Sequence, residues 1–179
     1  NIEEHFQIEI ILSRSFQITL GVDIDYFWKY KNKSIVKTTG GFIKDLMRLD
    51  IIAIKTRFLV VFGFKKDPYL SYDLIQNIGL PKESILFFVL SGGQTKFDKN
   101  QKLNHKSVLP LLEEISKIGE ISLHPSYEAS TDCSLLEIEK TELESVCKKF
   151  INKSRFHFIR LKFPKSYECL ILNNITQDY

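Results

Sequence analysis

Short, wholly apolar runs alternate along this chain with longer stretches in which apolar residues recur every three or four positions, the pattern of strands interleaved with helices. Phe16–Val22 and Ile85–Leu90 read as strands, the second closed by the breaker Ser91-Gly92-Gly93. Because Ile85–Leu90 is apolar on both faces, it fits the interior of a parallel sheet. Glu120–His124, Phe156–Leu161 and Thr176–Tyr179 read as three further short strands. Helices are predicted over Lys106–Ile118, stopped by Gly119, over Ser134–Phe150, and over Lys165–Leu172 after Pro164. In the second of these, Leu135, Ile138, Leu143, Val146 and Phe150 form an apolar face suited to covering a sheet. Between Tyr26 and Asp73 the pattern is less regular: Lys29, Lys31 and Lys33 precede a Gly40-Gly41 break, then a helix near Phe42–Leu49 and an apolar stretch near Phe58–Phe64. This region reads as an elaborated crossover. The expected class is α/β with mostly parallel strands in a single domain spanning 1–179.

Composition narrows the functions open to such a domain. With 44% hydrophobic and 26% charged residues, 179 residues suffice for one real core and exclude a disordered chain. The net charge of +3 is too small to demand nucleic acid. The longest uncharged run, Ser84–Thr95, is too short for a membrane span, and the first residues lack the basic and apolar blocks of a signal peptide. Cys133, Cys147 and Cys169 are odd in number and show no CxxC spacing, so they read as buried thiols in a reducing, cytoplasmic setting.

Candidate chemistry gathers at predicted strand ends. Asp23-Ile-Asp25 leaves the first strand at its C-terminal edge, where α/β sheets place their sites. Two carboxylates so close usually need a cation or a shared proton, while a lone Asp-x-Asp is more often a turn or N-cap pair. His124 closes another strand before Pro125, and His157 lies near the start of a third. Together they make an N/N/O set suited to Zn²⁺, Co²⁺, Ni²⁺ or Fe²⁺. Arg155, two residues from His157, reads equally as a bidentate partner for a carboxylate or as a surface arginine in a loop. His5 and His105 read as surface residues. The Gly40-Gly41 and Gly92-Gly93 pairs match no phosphate-loop fingerprint and read as turns, and Lys65-Lys66 and Lys148-Lys149 as solvated faces.

The order of these segments resembles the polysaccharide deacetylase (NodB-like) superfamily, in particular a divergent bacterial branch. The matching stretches are Asp23-Ile-Asp25-Tyr26, Lys65–Tyr69 with Tyr72-Asp73, Ile121–Tyr127, Glu139-Lys140 with Leu143-Glu144, Ser154–Leu161 and Asp178-Tyr179, in order over about 17–179. The resemblance implies a distorted, incomplete β/α barrel, its C-terminal part and general-acid His lying beyond Tyr179, so that these 179 residues alone turn over poorly. It implies an N-deacetylase acting on N-acetylated sugars of a surface polysaccharide or its precursor, with one divalent metal, zinc foremost. Carried over, Asp23 is the general base, Asp25 the metal carboxylate and His124 the first metal histidine. The Asp-x-Asp spacing, in place of adjacent aspartates, leaves the roles of Asp23 and Asp25 exchangeable. The second histidine of the usual HxxxH falls on Glu128, so either Glu128 or, preferably, His157 completes the site. Arg155 holds the base, and backbone N–H groups near Tyr127 or Arg155 receive the oxyanion. Two other readings stand beside this one: a degenerate, non-catalytic carbohydrate-binding module, and a glycosyltransferase using Asp23-Ile-Asp25 with Mn²⁺.

Overall fold

A computed structural model describes residues 16–92 and 95–179. His5 and Gly93 lie outside them. Five strands, β1 (Leu20–Ile24), β2 (Ile85–Leu90), β3 (Glu120–His124), β4 (Lys153–Ser154) and β5 (Gln177–Asp178), form one sheet in the order β1-β2-β3-β4-β5. Every pairing is parallel. Parallel neighbours require crossovers, and these carry the helices: α1 (Ile35–Met47), α2 (Ile51–Val61) and α3 (Tyr72–Gln76) between β1 and β2, α4 (Val108–Ile118) before β3, α5 (Cys133–Cys147) before β4, and α6 (Lys165–Leu172) before β5.

The period-two alternation of the strands divides the sheet chemically. On one face Ile24, Ile85, Phe87, Val89, Ile121 and Leu123 pack against Val108, Leu111, Leu112 and Ile115 of α4 and Leu143 of α5. The register places Gly21 and Asp23 beside Leu86 and Phe88, and Phe88 and Leu90 beside Ser122 and His124, on the opposite face. A smaller core of Leu136, Phe156, Cys169, Leu170 and Ile175 joins α5 to α6.

In a flat sheet β1 and β4, three spacings apart, would be separated by about 14 Å, beyond the reach of one arginine. Yet Arg155, one residue past β4, touches Asp23 of β1, so the sheet curls and brings those strand ends together. The approach is close enough that a Cβ on Gly21 would meet the Arg155 guanidinium. A side chain there would have to move the guanidinium aside.

Several expected elements are corrected. The first strand is Leu20–Ile24, not Phe16–Val22, so Asp23 lies within it and Asp25 just past its end. Phe156–Leu161 is not a strand: pairing stops at Ser154, and His157–Ile159 forms a single helical turn in which Phe158 and Ile159 take left-handed φ values of +60° and +51°. Such backbone cannot continue a ladder. Gly40-Gly41 is no break but the middle of α1, which starts at the Ser34 cap, its Oγ accepting from the Lys37 N–H. The apolar run near Phe58–Phe64 belongs largely to α2, capped by Asp50. The thiol expectation fails for two of three cysteines, because Cys133 and Cys169 form a disulfide across the α5–α6 core. Their separation of 36 residues carries no local signal. Cys147 remains a free thiol, pushed up to about 11 by burial. Among the described residues no helix is long and apolar enough to cross a membrane.

Candidate metal centre

Three chain segments leave the C-terminal edge of the sheet and bring Asp25, His124 and His157 together, with one ligand atom of each within 4.8 Å of the others. Asp25 Oδ1 stands 3.2 Å from His124 Nε2 and 3.7 Å from His157 Nε2. His157 reaches the cluster because the turn at 157–159 replaces the expected strand. Its N–H donates to the Pro125 carbonyl, and the Arg155 N–H to that of Leu123, so this segment runs along the exit of β3.

The other nitrogen of each imidazole fixes what faces the centre. His124 Nδ1 lies 2.5 Å from the carbonyl oxygen of Arg155, which only accepts, so Nδ1 carries the proton. His157 Nδ1 lies 2.8 Å from Oδ1 of the fully buried Asp98, which assigns its proton in the same way. With neutral rings both Nε2 atoms therefore turn lone pairs toward Asp25 Oδ1, a buried oxygen with no hydrogen-bond partner among the described residues. Three converging lone pairs repel unless a cation or additional protons lie among them. Where a second proton charges His124, its Nε2–H and positive charge hold the Asp25 carboxyl below its ordinary value, against the opposing effect of burial.

Asp98 is the member that strand-end reasoning misses. Its Oδ1 also accepts from the Tyr127 N–H at 3.0 Å, and its Oδ2 from Thr95 Oγ1 at 2.7 Å. The available signal is the Thr95-x-x-Asp98 turn in the loop that follows β2, at the same sheet edge. A carboxylate behind a histidine orients the ring and raises its basicity as a ligand. Glu139 of α5 is missed as a site-supporting group: its Oε2 accepts from the Ser126 N–H at 2.8 Å, while its buried Oε1 has no hydrogen-bond partner among the described residues. Burial pushes Glu139 up to about 7.

Asp23 sits beside this cluster without joining it. Arg155 Nη1 holds its Oδ1 at 2.9 Å, and the guanidinium lies 4.5 Å above the Phe88 ring. Asp23, Asp25 and Tyr26 line a cavity of about 300 Å³ closed on its far side by Pro68, Tyr69 and Tyr72. Asp67 anchors that wall: its carboxylate accepts from the N–H groups of Lys29, Tyr30, Lys31 and Tyr69. Burial works against its ionisation, but these donors together hold Asp67 below its ordinary value.

No family model matches the chain, and neither does any curated protein or solved structure.

Other predicted site residues fall differently. Glu128 is exposed, 3.8 Å from Arg160 Nη1, and is not among the clustered ligands. His157, in contrast, is one of the three clustered side chains. The expected backbone oxyanion donors are already engaged, Tyr127 N–H by Asp98 and Arg155 N–H by Leu123. Tyr127 contributes its ring instead, stacked on Phe97 with centroids 4.1 Å apart, with Phe158 edge-on at 6.0 Å. His105 is half-buried near Trp28 and distant in role from the cluster.

Proposed function

We propose that this chain carries the centre of a metal-dependent hydrolase that removes acetyl groups from N-acetylated sugars, on a curled portion of a β/α barrel. The single observation behind this reading is the convergence of two imidazole lone pairs on the unpartnered Asp25 oxygen. An N/N/O donor set fits a divalent ion of the Zn²⁺, Co²⁺, Ni²⁺ or Fe²⁺ group, with zinc the best match to tetrahedral sites left open at one position. Asp25, His124 and His157 would hold it. When bound, such an ion supplies Lewis acidity at an amide carbonyl and lowers the pKa of water.

The chain's own groups divide the remaining work. Asp23, outside the ligand set and gripped by Arg155, is oriented to take a proton as general base. The orphan oxygen of Asp25 supports it as the ligand of the two aspartates in the Asp-x-Asp pair. Asp98 and the Arg155 carbonyl keep both histidines in the tautomer that ligates. The Phe97–Tyr127–Phe158 aromatic group next to His157 offers apolar faces of the kind that pack on pyranose C–H surfaces. A glycosyltransferase using only Asp23 and Asp25 leaves the two oriented imidazoles without a role. A glycan-binding module without catalysis is the second reading, and it predicts no tightly held metal. The disulfide of Cys133 with Cys169 favours an oxidising compartment over the cytoplasmic setting expected from thiol counting.

Elemental analysis of the purified chain beside Asp25→Ala and His124→Ala tests the reading. The expected result is near-stoichiometric Zn, Co, Ni or Fe in the wild type and its loss in both variants, with acetate released from N-acetylated oligosaccharides only by metal-loaded protein. Absence of retained metal after dialysis against Zn²⁺ overturns it.

A further inference from the structure

Beyond the metal cluster, a second and larger cavity of about 500 Å³ opens between the loop after β1, helix α1 and the segment 99–101. Its walls carry five cationic side chains, Lys33, Lys37, Lys44, Arg57 and Lys99, and among the described residues lining it there is no carboxylate. A volume of this size is typical of small-ligand sites. Cations left facing one another around a concavity repel, and the arrangement is stable in proportion to an anion that enters it.

Arg57 shows that the cavity is built and not a chance gathering of surface lysines. It is buried, its Nε donates to Asp45 Oδ2 at 2.8 Å, and its guanidinium is sandwiched 4.6 Å from the Tyr30 ring and 5.6 Å from Phe42. Among the described residues its Nη atoms make no hydrogen bond, and they press on α1 where a Cβ at Gly41 would overlap them. The glycine in mid-helix thus costs about 1 kcal/mol of helix propensity and admits the guanidinium to the cavity wall. A fork of two parallel Nη donors is the shape that phosphate oxygens match. Burial, then the Arg57 charge, hold the Lys33 ammonium below its ordinary value, as crowded cations would.

The cavity is continuous with the metal cluster along the chain. Tyr26 lines both cavities and follows Asp25 directly, while Lys99 follows Asp98, the carboxylate behind His157. Gln101 ties the two walls through a 3.2 Å bond from its Nε2 to the Asn32 carbonyl.

We propose that this cavity binds the diphosphate of a diphosphate-linked N-acetylated sugar whose acetamido group reaches the Asp25–His124–His157 cluster. The substrate assignment rests on the hydrolase reading given above, whereas the anion site stands on its own residues. With Asp45 answering Arg57, a neutral glycan would still leave the four lysines of the cavity without an anion.

Calorimetric titration with inorganic pyrophosphate tests the site, using wild type, the Lys37→Ala/Lys44→Ala double variant and Asp25→Ala. Both lysines are exposed, so the double variant retains the fold and its metal content, which elemental analysis checks. Pyrophosphate should bind the wild type, bind the double variant at least about tenfold more weakly, and bind Asp25→Ala within about twofold of wild type. Equal affinity in the double variant overturns the proposal. So does loss of binding in Asp25→Ala, which would place pyrophosphate on a metal ion. Pyrophosphate binding by a chain that retains no metal would leave the anion site standing and remove the hydrolase reading. Competition by uridine diphosphate and by geranyl diphosphate then separates a nucleotide carrier from a lipid carrier. Failure of both to displace pyrophosphate overturns the diphosphate-linked substrate.

Discussion

The two cavities that meet at Tyr26 are built on opposite principles. Around Asp25, functional atoms are held by fixed partners: the Arg155 carbonyl behind His124, the buried Asp98 behind His157, and, nearer solvent, Arg155 Nη1 on Asp23. Around Arg57, most of the charge sits on exposed lysine stems free to follow a ligand, with one fixed guanidinium as anchor. The difference teaches how the sequence divides its tasks. Reacting groups need geometry held to fractions of an ångström, while recognition of a diffuse anion tolerates movement.

Perturbing the rigid side should produce the largest effects. Asp23→Asn should lower acetate release by about 10²- to 10⁴-fold, the usual scale for removing a general base, with metal content unchanged. A loss of metal in that variant would show Asp23 to be a ligand and merge the two roles.

Glu139→Gln comes next. The folded-state value of Glu139, raised to about 7 from an ordinary 4.5, means that between these values the unfolded chain gives up its proton while the folded one keeps it. Stability therefore falls as pH rises through that window and is flat above it. The glutamine variant should lack this fall, worth about 3 kcal/mol, in urea melts at pH 4.5 and 7.5. Parallel pH curves for both proteins would show that Glu139 titrates normally.

Asp98→Asn leaves His157 a weaker and rotatable orienting partner, and should weaken zinc binding by about 10- to 100-fold in chelator competition. Gly21→Ala is the finest probe, since its methyl group must displace the Arg155 guanidinium from Asp23. Turnover should fall about tenfold, with zinc affinity held. If zinc affinity fell in step with turnover, the base and ligand networks would be one unit.

How far these features could be read from the residues depended on the range of the interaction that fixes each. Strands Ile85–Leu90 and Glu120–His124 and helix Lys165–Leu172 follow from local apolar runs and breakers and have the predicted bounds. That Asp25 and His124 share an edge was legible because parallel strands end together, whereas His157, read near the start of a strand that does not exist, was not placed at that edge by the pattern and entered as a ligand through its imidazole and the family resemblance. Asp98 was not legible, since its meaning comes from a histidine 59 positions later. The Cys133–Cys169 pairing and the Arg57–Gly41 contact are likewise tertiary events. The Gly-Gly pair looked like a turn because helix propensity cannot register a guanidinium arriving from α2.

One residue serves both halves of the centre through different parts of itself. The Arg155 side chain grips Asp23, while its main-chain oxygen sets the tautomer of His124. No point substitution at 155 erases that oxygen, so heredity can tinker with the partner of Asp23 through this position and still inherit a carbonyl behind His124.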